Sequence, residues 1–127
     1  MKYLCICIGL LFIFGCKTYS EEDLATFDTK IKNYLREKNV DCKRSESGLY
    51  YNITDPGEGR KIQYTDIVSF TYSGSLLSGE IFDTQKDPVE FEVKELIGAW
   101  KEIMLELKKG GKAYLVAPPN LGYGTHD

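Results

Sequence analysis

Histidine is almost missing from this 127-residue chain: its one example, His126, is second from the end. Function therefore does not rest on a histidine acid–base pair or on a histidine-rich zinc site, and no cofactor or metal is expected. An excess of base is lacking too. Sixteen Lys and Arg stand against 19 Asp and Glu, a net charge of −3. Such a surface has little to offer a phosphate backbone, so nucleic acid is not an expected partner. Cysteine is scarce where it would brace a fold: Cys5, Cys7 and Cys16 crowd the N-terminus and only Cys42 lies beyond them. One thiol makes no internal disulfide, which excludes a disulfide scaffold. Long hydrophobic runs are also wanting. The longest, residues 3–14, is twelve residues, short of the ~20 that cross a bilayer as a helix. What remains, 43% apolar and 13% aromatic with no internal repeat, is the composition of one small folded domain.

The twelve-residue run, preceded by Lys2, has the length of a signal-peptide core. It ends in "IFGC", which resembles the lipobox of bacterial lipoproteins: Ile13, a small Gly15, then Cys16, the residue that is lipidated and becomes the new N-terminus. Phe14 is bulkier than that motif usually takes, and an uncleaved anchor or a plain secretory signal are the alternatives. The resemblance implies a membrane anchor through lipid on Cys16 and a location in the bacterial cell envelope.

After Cys16 the stretch "SEEDLATFDTKIKNYLREKN" predicts a helix. Ser20 is a natural N-cap, acids follow it, bases gather at the far end, and Leu24, Phe27, Ile31, Tyr34 and Leu35 recur at helical spacing. It reads as a spacer packed on the domain or as a dimerisation helix. From Gly48 the period shortens to two. "GLYYNIT" reads as a strand, and "DPGEG" as a turn. In "DIVSFTYSG" Val68, Phe70 and Tyr72 share one face, and in "PVEFEV" Val89, Phe91 and Val93 do. "KELIGAWKEIMLELKKGG" returns to the helical period, with an apolar stripe through Leu96, Ile97, Trp100, Ile103, Met104 and Leu107 and a Gly110–Gly111 end. "KAYLVAP" closes as an apolar strand. The sum is an α+β domain, antiparallel strands with one amphipathic helix over a sheet face.

These pieces in this order, "SGLYYNI", "GEG", "DIVSFTYSGSLLSGEIFD", "PVEF", "LIGAW", "LKKGGKAYLVAPP" and "LGYG", resemble an FKBP-type peptidyl-prolyl cis/trans isomerase domain over residues 47–127. The resemblance implies an antiparallel twisted sheet wrapped around one helix. It also implies an aromatic cup: Tyr72 leaves on one strand, Gly74 and Gly79 let the chain reverse, and Phe82 and Asp83 return opposite it. By the same likeness Trp100 is the floor, Leu96 and Ile97 the wall, Tyr123 a rim hydroxyl, and the Ile97 N–H holds a carbonyl of the bound peptide. Partners implied are proline-containing polypeptides, and the cup is of the kind that takes a macrolide. The N-terminal signal matches exported lipoprotein members, so the expected function is isomerisation of X-Pro bonds of exported proteins in the cell envelope. The alternative is a catalytically weak FKBP-like binding or chaperone module of an envelope or motility assembly.

Three departures from the family pattern bear on this. Ala99 stands where a glycine usually precedes the tryptophan, and Val89 where an aromatic often follows the strand proline, with Phe91 two residues on. The chain also stops at "LGYGTHD", where the family continues into a final strand. The expectation is three segments: residues 1–15 a lipoprotein signal peptide, 16–46 a helix and linker, and 47–127 an isomerase domain that is C-terminally incomplete and reduced in stability and activity.

Overall fold

The computed structural model describes residues 19–122. The expected signal peptide, the lipidated Cys16 and the rim residue Tyr123 lie outside the described residues. The N-terminal helix forms as its caps dictate. Helix α1 (Glu21–Lys38) opens on Ser20, whose hydroxyl accepts from the Asp23 N–H at 3.1 Å while the Asp23 carboxylate accepts from the Ser20 N–H at 3.1 Å. Two orphan amide donors are thereby satisfied. It ends at Asn39, whose left-handed backbone (φ 55°) turns the chain out. Ile31 and Leu35 are buried, 3% and 7% exposed, and pack with Tyr50 and Val116. Each such side chain contributes roughly 1.5–3 kcal/mol of burial. The helix is thus packed on the domain.

The α+β class is as the alternation implied, with antiparallel pairing throughout the described strands. Strands β1 (Lys43–Arg44), β2 (Tyr50–Asp55) and β7 (Lys112–Val116) form one ladder in the order β1-β2-β7. Strands β3 (Glu58–Lys61) and β6 (Lys108–Lys109) form a second, and β4 (Ile67–Ser75) and β5 (Ile81–Glu92) a third. Antiparallel sheet and one main domain helix are as expected; among the described residues the strands fall into three ladders, and none bridges the β4–β5 ribbon to the others. Leu49 and Val93, each 0% exposed, are buried, as are Leu96, Ala99, Ile103 and Leu107.

The second helix is shorter than its periodicity. A 3-10 turn (Val93–Glu95) comes first, Leu96 and Ile97 are extended, and helix α2 runs only Gly98–Met104. Lys108 and Lys109, read as the helix end, belong to β6 and pair with Lys61 and Glu58. The ladder and the Ile62 N–H bond to the Leu107 carbonyl, 2.9 Å, claim backbone that a longer helix would need. The glycine pair accordingly serves a turn: Gly110 has φ 84° and the Gly111 N–H reaches the Lys108 carbonyl at 2.9 Å.

Candidate functional site

The β4–β5 ribbon carries most of the candidate site. Val68, Phe70 and Tyr72 are half-buried on one face of β4, and Ser69, Thr71 and Ser73 are exposed on the other. The hairpin closes through two backbone bonds of 2.9 Å, Leu76 N–H to the Glu80 carbonyl and Gly79 N–H to the Leu76 carbonyl, with Gly79 at φ 95°. Gly79 thus makes the reversal. Gly74 does something other than what its place in the motif suggested. It lies inside β4 opposite Asp83, and a Cβ there would fall 2.8 Å from the Phe82 ring. It is small so that Phe82 can lie across the strand.

Tyr72 pairs in register with Gln85 rather than with Phe82 or Asp83. Its side chain nonetheless reaches along the ribbon, and the Tyr72 hydroxyl donates to Asp83 Oδ2. Between Phe70 and Tyr72 the register jumps: Phe70 faces Val89 and Tyr72 faces Gln85, so three residues of β5 pass opposite Thr71 alone. Such a bulge adds twist, and the Phe70 and Tyr72 rings, 6.0 Å apart, are inclined at 40°.

Trp100 arrives from α2 and lies against both. Its ring centre is 4.5 Å from that of Tyr72 at 66° and 5.2 Å from that of Phe70 at 86°, both edge-to-face. Aromatic pairs favour this arrangement because the ring edge is positive and the face negative. Phe91 follows at 6.3 Å from Phe70. Helix α2 is itself moored: Ser47 Oγ donates to Glu102 Oε2 at 2.5 Å, and Ser47 lies 2.8 Å from the Ser45 hydroxyl. Leu96 is buried at 7% exposure and Ile97 is half-buried on the extended backbone just ahead of the helix.

Tyr72, Asp83 and Trp100 are therefore in one contact network, Phe82 lies across the same ribbon, and Leu96 and Ile97 lead into the helix that bears the indole. The sequence reading gave Phe70 and Phe91 only as residues on one face of their strands, and both join the aromatic cluster. Their signal was the alternation around Tyr72, which gives the face but not the neighbour on it. The cluster is an open shelf, with Phe82 49% and Phe91 43% exposed. Two surface depressions lie elsewhere, one bordered by Asp41, Cys42 and Tyr51 and one by Asp28, Arg44 and Pro118, and neither includes these rings. Among the described residues no group of His, Cys, Asp and Glu is arranged to hold a metal ion. What such a shelf does chemically is to receive an apolar ring and remove its neighbours from water.

Known proteins carry the same arrangement of sequence. The family model described as FKBP-type peptidyl-prolyl cis-trans isomerase matches residues 58–127. A probable FKBP-type peptidyl-prolyl cis-trans isomerase of Haemophilus influenzae is 42% identical over 90 residues, 68% of this chain and 37% of that protein. The isomerase FkpA of Escherichia coli is 38% identical over 111 residues, 82% of this chain and 40% of that one. The chain thus spans about two fifths of the length of these curated relatives. The crystal structure of Escherichia coli FkpA superposes with a TM-score of 0.68 at 35% identity, covering 82% of this chain and 51% of that one. A peptidyl-prolyl cis-trans isomerase from Pseudomonas syringae gives 0.65 at 25% identity, over 87% of this chain and 81% of that one. A family match over more than half of the chain, supported by relatives that share both sequence and backbone course, means that this chain belongs to the FKBP-type peptidyl-prolyl cis-trans isomerases.

Proposed function

We propose that the chain isomerises X-Pro peptide bonds of exported polypeptides, with Tyr72, Phe82, Asp83, Leu96, Ile97 and Trp100 as its site and Tyr123 completing the rim. The observation that carries this reading is the Trp100 indole set 4.5 Å from a Tyr72 ring whose hydroxyl is tied to Asp83. Rotation about an X-Pro bond is opposed by a barrier of ~18–20 kcal/mol that comes from the double-bond character of the amide. No covalent bond breaks, so the site needs no nucleophile. A proline ring resting on the Trp100 face, between Tyr72 and Phe82, takes its imide out of water. The dipolar resonance form is then disfavoured and the twisted bond relatively favoured. The Ile97 N–H holds a substrate carbonyl, which fixes one side of the bond while the other turns. A thousandfold acceleration requires only about 4 kcal/mol of such differential stabilisation. The same shelf is suited to an apolar macrolide.

The test is a proline-peptide isomerisation assay on the full chain beside Trp100→Ala. Rate enhancement by the first, cut at least tenfold in the second, supports the reading. Peptide binding with no enhancement would instead mark a binding module. The envelope location rests on the signal-like segment and on Cys16. Incorporation of labelled fatty acid in a bacterial host, lost in Cys16→Ser, is the expected outcome, and equal labelling of the two proteins would refute the anchor.

A further inference from the structure

Trp100 stands on a helix of seven residues, Gly98–Met104, and is only half-buried. So short a helix does not fix the orientation of a large side chain by itself. Two rings from one strand flank the indole, and they are held differently. Tyr72 is tethered through its hydroxyl to Asp83. Phe70 has no polar group; its place is set by packing, with Trp100 at 5.2 Å, Tyr72 at 6.0 Å and Phe91 at 6.3 Å. It is the ring common to all of these pairs except the one between Tyr72 and Trp100. Phe91 comes from the partner strand, one step along the diagonal, since Phe70 pairs with Val89 and Val68 with Phe91. The Phe70–Trp100 contact is near-perpendicular, 86°, against 66° for the Tyr72–Trp100 contact, so the two rings meet the indole at different angles.

We propose that Phe70 is a positioning residue for isomerisation: braced by Phe91, it holds the Trp100 face at the angle that suits the twisted imide. It acts through Trp100 and not on the substrate. A smaller side chain at this position leaves an apolar floor for the proline ring but lets the indole rock. The loss therefore falls on turnover and spares the Michaelis constant. The kinetic part of the proposal rests on the isomerase reading above; the part concerning the indole does not.

Trp100 is the chain's one tryptophan, so the long-wavelength indole bands of the near-ultraviolet circular dichroism and the fluorescence anisotropy excited at the red edge, where tyrosine does not absorb, report on this ring. Phe70→Leu is expected to halve the tryptophan circular dichroism bands, lower the anisotropy and reduce kcat about tenfold with KM changed less than twofold. Phe70→Tyr, which keeps the ring, should retain all three. Phe91→Leu, a change at a 43%-exposed side chain and so expected to fold, should move the same signals in the same direction by less. Should Phe70→Leu fail to fold, Phe91→Leu carries the test. An unchanged tryptophan spectrum in the folded variants overturns the proposal, as does a Phe70→Tyr protein that loses as much as Phe70→Leu. If the unaltered chain shows no isomerase activity, the spectra decide the proposal alone and the functional reading fails separately.

Discussion

A Cβ at Gly74 would come within 2.8 Å of the Phe82 ring, closer than real Cβ contacts allow. Gly74→Ala must therefore displace Phe82, and because that ring is 49% exposed it can move outward without opening the core. The cost should appear in the site more than in the fold: stability down by no more than ~1 kcal/mol, and KM for a proline peptide raised about fivefold, as ~1 kcal/mol of lost ring contact implies. Steady-state kinetics beside a denaturant melt separate the two effects, and an unaltered KM would remove Phe82 from the site. Most residues of the candidate site were named from "YSGSLLSGEIFD" and "LIGAW", since a family's motif names residues directly, and the structure brings Tyr72, Asp83 and Trp100 of that set together. Their partners were not. Tyr72 faces Gln85 in the ladder yet bonds Asp83, further along the same strand, and the two extra residues of the bulge opposite Thr71 keep the apolar–polar alternation in phase and leave no trace in it.

Helix α1 is attached to the domain by more than its apolar stripe. Asp28, one turn before the buried Ile31 and two before Leu35, accepts from Tyr50 Oη at 2.8 Å and Arg44 Nε at 2.9 Å and lies 3.2 Å from Lys32 Nζ. Burial pushes its carboxyl up, but the hydrogen bonds from Arg44, Tyr50 and Lys32 outweigh it and hold the group below its ordinary value of 3.8. A carboxyl lowered in the folded state adds stability above the unfolded value, and that stability disappears as pH falls through the folded one. Asp28→Asn should therefore lower stability by ~1–2 kcal/mol at pH 7. The gap between variant and parent should narrow below pH 3.8, where Asp28 protonates. Denaturant melts followed by far-ultraviolet circular dichroism across pH 3–7 measure this, and a constant gap would mean that the latch is not ionic. The helix itself was legible, because its cap, charge gradient and 3.6-residue period are local. Its latch was not, since Arg44 and Tyr50 lie 16 and 22 residues away. The second helix was over-read for a related reason: periodicity through Leu107 reports which side chains are buried, whereas the pairing of Lys108 and Lys109 with β3 decides the backbone.

At the scale of the whole molecule, apolar surface and unpaired strand edges coincide among the described residues. Among the described residues β4 and β5 pair only with each other, and their ribbon exposes Ile67 at 68%, Ile81 at 65%, Leu76 at 49% and Phe91 at 43%. A ribbon with open edges and apolar side chains is a template for intermolecular pairing. The mild net charge of −3 opposes that association at neutral pH and vanishes near the pI of 5.2. Turbidity is therefore expected to rise steeply as pH is lowered toward 5.2 and to stay low at pH 8. Ile81→Glu adds a negative charge at a 65%-exposed position paired with Ser75 near the hairpin end. It should move the onset of turbidity to lower pH and reduce its amplitude several-fold, beyond what one added charge elsewhere achieves. The control is Lys38→Gln, which makes the same change of net charge at the exposed end of α1. Equal turbidity from the two variants would show that association follows net charge alone; a clear advantage for Ile81→Glu assigns it to the ribbon.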